Sequence, residues 1–194
     1  MTHPTRITAQ IEFLTEVDKL KSVLRGTSLC DNSRRENSGE HSWHIALYAL
    51  ILSEHAINPI DINRVIKMLL IHDLVEIDAG DAPIHGNHDP VEQALKECNA
   101  ADRIFGLLPQ DQAIELRDLW DEFEASETND AVFAKSLDRA QPVISNLETG
   151  GQSWTDYNVT LEQVKSRVAV KIQRGAPAIW ATVKTRVEAW FAQA

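Results

Sequence analysis

The chain has 194 residues, 43% of them hydrophobic and 25% charged, with a formal net charge of -10. That suits one globular domain spanning residues 1–194 with a sizeable core. The acidic balance repels a phosphate backbone, which argues against a nucleic-acid polymer as partner but leaves room for a small anion met by local cations or a metal. No apolar run reaches the roughly 20 residues of a membrane span, and the start MTHPTRITAQIEF has no apolar leader segment. Cys30 and Cys98 are far apart and not in metal-ligand spacing, so the expectation is reduced thiols in a cytoplasmic protein, in which the NVT sequon at Asn158 has no meaning.

Helical periodicity dominates. Ile7, Ile11, Leu14, Val17, Leu20 and Leu24 predict a first amphipathic helix, and the polar RGTSLCDNSRRENSG a loop. A second helix is expected from about Glu40 to His55, apolar on most sides. Pro59 ends it, Asp61 is a candidate N-cap, and a third helix is expected over Ile62–Ile77 with Gly80 as its stop. GDAPIHGNHDP reads as a loop, and Asp89-Pro90 as the cap and first turn of a helix reaching Phe105. Further helices are expected over Gln110–Ala125 and Asn129–Leu147. After the loop ETGGQSWTDYN, Thr160 and Gln163 form a capping box for a helix to Gln173, and Pro177 opens the last helix. No strand, repeat or linker is apparent, so the fold class is all-α.

The stretch MLLIHDLVEIDAGD, Met68–Asp81, starts as core yet carries His72, Asp73, Glu76, Asp78 and Asp81. Buried carboxylates must be paired, protonated or bound to a cation. In a continuous helix His72 and Glu76 share a face at i, i+4. Imidazole with carboxylate is a ligand set for a divalent metal, although a bare His-Asp pair is more commonly a capped or paired core feature. Upstream, His41 and His44 sit at the start of the second helix, and spacing nominates either or both. Downstream, Asp138 lies inside an apolar helix beside Lys135, Arg139 and Gln141, where a salt bridge competes with a ligand role.

Taken in order, ENSGEHSWHIA, HDLVEIDAGD and KSLDRAQP resemble the HD-domain metal-dependent phosphohydrolases, in the branch of the 5'-deoxynucleotidases, over roughly Asp18 to Trp154. The resemblance implies a single HD-domain helical bundle and one divalent metal (Mn, Co, Fe, Ni, Mg or Zn). It implies His41, His72, Asp73 and Asp138 as ligands, with His44 left without a role. It also implies Glu76 as catalytic acid or base, Asp81 as a catalytic-site carboxylate contacting the sugar hydroxyl, and a homodimer. Four ligands leave positions open on a six-coordinate ion, which acidifies water toward a pKa of about 7 and withdraws charge from phosphorus. Arg25, Arg34 and Arg35 are the candidate phosphate contacts, competing with a solvated loop paired to Glu36 or Glu40. The deoxynucleotidases carry an Arg-Trp pair where this chain reads LRGTSL, with Arg25 but no Trp, which puts selectivity for deoxyribose in doubt.

The expected reaction is hydrolysis of (deoxy)nucleoside 5'-monophosphates to nucleoside and phosphate. Two rivals stand beside it: hydrolysis of another nucleotide-like phosphoester, including a phosphodiesterase activity, and a metal-stabilised ligand-binding module without turnover. His85 and His88 read as loop surface, and the TGGQSW segment as either a lid or a plain connection.

Overall fold

The computed structural model describes residues 5–193; Met1–Pro4, part of the stretch read as lacking a leader, and Ala194 lie outside them. Helix α1, Arg6–Val17, is capped by the Thr5 hydroxyl and continues as a 3-10 turn, Asp18–Ser22. The expected stripe divides: Phe13 and Leu20 are buried, but Ile7, Ile11 and Leu14 face solvent. Leu24 belongs to β1, Leu24–Ser28, which pairs antiparallel with β2, Arg35–Asn37. This hairpin corrects the expected loop. Its strands are too short and polar to alternate visibly, and its tip is held by local bonds: the Ser33 amide and hydroxyl donate to Asp31, and Asn32 takes a left-handed φ of 57°. The all-α class holds for the bulk of the molecule, with these two short strands as the addition.

Helix α2, Ser38–Leu52, opens on an Asn37–Glu40 capping box directly after β2. Asp61 caps α3, Ile62–Ile71, as expected. The expected single helix to Ile77 does not persist. It tightens to a 3-10 turn at His72–Val75 and resumes as α4, Glu76–Ala79, before Gly80 at φ 75°. Three residues per turn instead of 3.6 re-aims every side chain in the motif. The turn is pinned by the Trp120 indole, which donates to the His72 carbonyl at 3.1 Å.

Then follow α5, Pro90–Phe105; α6, Gln110–Ala125; and α7, Asn129–Glu148. The ETGGQSWTDYN segment holds a short helix, α8, Gln152–Asp156. The Thr160–Gln163 capping box starts α9, Leu161–Gln163, which widens to a π turn at Val164–Ala169 and narrows again as α10, Val170–Gly175. Helix α11, Pro177–Phe191, closes the chain. Helix α7 is the spine: α2, α3, α6, α10 and α11 all pack on it. The core includes Ile45, Met68, Leu69, Phe123, Phe133, Leu137 and Ile172. Each such side chain contributes about 1.5–3 kcal/mol by leaving water. Pro142 interrupts the α7 ladder, because it has no N–H for the Asp138 carbonyl. No helix among the described residues is long and apolar enough to cross a membrane.

Candidate metal centre and cleft

Three elements converge. The first turn of α2 supplies His41, the end of α3 supplies His72 and Asp73, and the middle of α7 supplies Asp138. Donor atoms of His41, His72 and Asp73 all lie within 4.8 Å of one another. Asp138 Oδ1 joins them, 3.2 Å from His41 Nε2 and 3.7 Å from His72 Nε2. All four residues are buried. The two histidines that spacing left open are separated by the fold. His41 is in the cluster, whereas His44 lies between Trp43 and Tyr48, and burial holds its pKa down.

The donor set fits a divalent cation. His72 Nδ1 lies 2.9 Å from the Leu69 carbonyl, so that nitrogen carries the proton and Nε2 presents its lone pair. That Nε2 is buried with no hydrogen-bond partner, although Asp73 Oδ1 stands 2.9 Å away. Without a cation a proton must fill the gap: burial opposes charging His72, but Asp73 and Asp138 outweigh it and push its pKa up to about 10. The same neighbourhood holds Asp73 and Asp138 well below the usual carboxylate range despite their burial, through His72 and Arg25 for Asp73, and through Arg139, His41 and His72 for Asp138. A divalent ion held there would replace that proton.

Outside the cluster a cleft opens. Arg25 on β1 is its central cation, with Nη1 2.8 Å from Asp73 Oδ2, 3.8 Å from Glu76 Oε1 and 3.9 Å from Asp81 Oδ1. Burial works against its charge, but these carboxylates keep it protonated. Glu76 accepts a 2.6 Å bond from the Ser38 hydroxyl. Burial first, then the negative charge of Asp73, pushes Glu76 up to about 9. Asp81 is raised in the same way, against the pull of Arg25. In the metal-free site, burial and Asp73 thus favour the neutral form of Glu76, while Asp73, three residues earlier, is favoured ionised.

Arg34 and Arg35 are elsewhere. Arg34 forms a fork with Glu40, 2.8 and 2.5 Å, and so buttresses the α2 cap, while Arg35 stands 3.6 Å from Asp156; both are about half exposed and neither lines the cleft. The cations that do line it with Arg25 are Lys135, paired to Glu124 at 2.9 Å, and Arg139. Sequence reading weighed both only as salt-bridge partners. The available signal was their spacing from Asp138, one turn before and one residue after. Asp78, the remaining carboxylate of the motif, pairs with Arg103. His85, read as loop surface, lines the cleft with a buried, unpartnered Nδ1, and burial with Arg167 and Arg139 lowers its pKa to about 4.

The outer wall comes from α8. Trp154 is 3% exposed and packs on Trp190 and Phe191. Asn146 fixes the helix start, its Oδ1 accepting from the Ser153 amide at 3.1 Å and hydroxyl at 2.9 Å. These anchors favour the plain connection over the lid. Tyr157 follows and lies against Gly26, where a Cβ would meet its ring at 3.0 Å.

The chain is similar to several known proteins. The HD domain family model matches residues 17–180. The 5'-deoxynucleotidase HDDC2 of Homo sapiens is 30% identical over 139 residues, 71% of this chain and 67% of that protein. The 5'-deoxynucleotidase PM0747 of Pasteurella multocida is 29% identical over 163 residues, 77% and 82% of the two chains. A solved structure described as a "Predicted metal-dependent phosphohydrolase" from Magnetospirillum magnetotacticum MS-1 superposes with a TM-score of 0.89 at 48% identity over 95% of both chains. A conserved hypothetical protein from Pyrococcus furiosus, at a TM-score of 0.63 and 21% identity, shares the fold alone.

Proposed function

This chain belongs to the HD-domain family, and from that premise we propose that it is a metal-dependent phosphohydrolase converting (deoxy)nucleoside 5'-monophosphates to nucleoside and phosphate. The observation that carries the reading is a buried Glu76 carboxyl beside the cluster of His41, His72, Asp73 and Asp138 and within 3.8 Å of the Arg25 guanidinium. A purely structural metal needs neither the spare carboxyl nor the arginine, which argues against the module without turnover.

His41, His72, Asp73 and Asp138 hold one divalent ion. Bound there, the ion supplies a Lewis acid that draws charge from phosphorus and acidifies water. Arg25 receives the phosphate oxygens, since its guanidinium is already stripped of water and offers further N–H groups. Lys135 and Arg139 add positive potential deeper in the cleft. A water bonds to phosphorus as the bond to the 5' oxygen breaks; Glu76 gives its proton to that departing oxygen and takes back the proton the water sheds. Ser38 fixes the rotamer of Glu76 through their 2.6 Å bond. Asp81 accepts from a sugar hydroxyl. The apolar wall of Trp154, Val143 and Tyr157 excludes water around the nucleoside.

A cytoplasmic setting agrees with two unpaired cysteines. A second copy of the chain as partner is supported by one open stripe of α2, where Trp43, Leu47, Leu50 and Ile51 are exposed at helical spacing. Sedimentation of wild-type protein against Leu50→Glu tests it, and a monomeric wild type refutes it.

The reaction is tested by phosphate release from a panel of ribo- and deoxyribonucleoside monophosphates, using metal-stripped protein reloaded separately with Mn²⁺, Co²⁺, Fe²⁺, Ni²⁺, Mg²⁺ or Zn²⁺. Metal-dependent release that vanishes in Asp73→Ala supports it. No release with any ion sinks it and moves attention to other phosphoesters.

A further inference from the structure

We propose that Gln141 and Glu36 form a positioning relay behind His41, fixing the tautomer that leaves His41 Nε2 free for the metal and joining that histidine to Arg25. The inference rests on the metal site of the preceding section.

His41 Nδ1 lies 3.0 Å from Gln141 Oε1. The orientation of that amide is set from its other end, where Nε2 donates to Glu36 Oε1 at 3.0 Å and to the Ser145 hydroxyl at 3.2 Å. An amide whose nitrogen faces a carboxylate must present its oxygen to His41. His41 Nδ1 therefore donates, and the Nε2 lone pair points at Asp138 Oδ1, 3.2 Å away. Two lone pairs at that distance repel unless a proton or cation lies between them. The relay thus builds a site that demands a positive charge. His72 needs no such device, because its Nδ1 donates to the Leu69 carbonyl, a backbone group of its own helix. His41 sits in the first turn of α2 and takes its acceptor from α7, across the core.

Glu36 extends the relay. It is 2% exposed, and its second oxygen, Oε2, has no hydrogen-bond partner. That oxygen stands 3.6 Å from His41 Nδ1 and 4.0 Å from Arg25 Nε, which is itself buried and unpartnered. A desolvated carboxylate between an imidazole and a guanidinium is stable only with both. Glu36 is thus the joint through which the metal ligand and the phosphate-receiving arginine hold each other. Groups that back a ligating histidine typically change metal affinity about 10–100-fold.

The test uses Gln141→Met, which keeps the length but loses the acceptor, Glu36→Gln, and the exchange Gln141→Glu with Glu36→Gln, which restores an acceptor to His41 and keeps a donor facing a carboxylate. Co²⁺ affinity and the visible absorption of the Co²⁺-loaded protein are read together with kcat and KM at saturating Co²⁺, and thermal unfolding is followed alongside. The relay predicts that Gln141→Met weakens Co²⁺ binding about 10–100-fold and alters its absorption, while KM at saturating Co²⁺ holds. The exchange Gln141→Glu with Glu36→Gln should recover most of that affinity, because the new carboxylate accepts both from His41 Nδ1 and from the amide introduced at position 36. Glu36→Gln alone should weaken Co²⁺ binding and also raise KM, through Arg25. Unchanged Co²⁺ affinity and absorption in Gln141→Met overturns the relay, as does a loss of affinity that the exchange does not restore, which marks a role in packing alone. A wild-type protein that takes up no Co²⁺ overturns the metal reading itself, and the relay with it.

Discussion

The inner and outer halves of the cleft are built by different means. The inner half is helical: His41 and Asp138 project from α2 and α7, and His72 and Asp73 from the 3-10 turn that ends α3, and all three helices bury one face in the core. The Phe123 ring lies tilted with its centre 4.8 Å from that of His72, and Leu137 and Met68 are fully buried. The outer half is made of short pieces. The hairpin brings Arg25 and Gly26, the segment after Gly80 brings Asp81, and α8 brings Trp154 and Tyr157. Its parts are tied by single bonds, such as Ser28 to Gln152 and Arg35 to Asp156. The contrast separates two demands. Ligands for one ion need fixed geometry, which packed helices supply. A wall facing a small molecule needs shape, which loops change cheaply.

That comparison is broken most severely from inside. Asp73→Ala removes a ligand and the carboxylate holding Arg25, so metal content and turnover should both collapse; elemental analysis with a phosphate-release assay reads both, and retained metal would contradict the ligand role. Glu76→Gln should keep the metal and lose roughly 10²–10⁴ in kcat, the usual worth of a positioned proton donor. A smaller loss would move the proton transfer to another group.

The acidity of Glu76 gives a third prediction, read as stability. In the metal-free protein its pKa is raised from 4.5 to about 9 by burial and by Asp73. The folded state therefore keeps a proton that the unfolded chain releases. This stabilisation is full below about 4.5 and is lost as pH rises toward about 9. The Tm difference between metal-stripped wild type and Glu76→Gln should therefore shift against wild type across that window, and a pH-independent difference would contradict the raised pKa.

The outer half should respond more mildly. Tyr157→Ala should raise KM and leave kcat, because it removes contact shared by ground and transition states. Comparing deoxy- and ribonucleotide substrates in this variant asks whether the ring beside Gly26 does the work of the missing tryptophan. Gly26→Ala, whose Cβ meets that ring at 3.0 Å, should have the same effect in weaker form. Smallest of all, Arg34→Ala breaks an exposed pair with Glu40 and should leave denaturant unfolding almost where it was, since solvent screens such a pair, with KM unchanged. A large KM effect there would return Arg34 to the phosphate.

Periodicity and caps are local properties, and the sequence by itself determined what depends on them. Asp61, the Asp89-Pro90 start, the Thr160–Gln163 box and the Gly80 stop all stand in the structure as expected, because a cap involves side chains within three residues of the backbone it satisfies. The three motifs on separate helices were legible for the same reason. Spacing alone left open His41 against His44; the resemblance pointed to His41, and it is the docking of α2 on α7 that brings that residue to the cluster. It missed the hairpin, whose pairing is between strands that carry no alternating pattern. It read the His72–Glu76 stretch as one α-helix, whereas Trp120, 48 residues away, holds that turn. It offered Arg34 and Arg35 as equals of Arg25. Neighbours in the chain share composition but not direction: on a strand successive side chains face opposite ways, and only the packed hairpin aims Arg25 at Glu36, Asp73, Glu76 and Asp81 while leaving Arg34 and Arg35 to the surface.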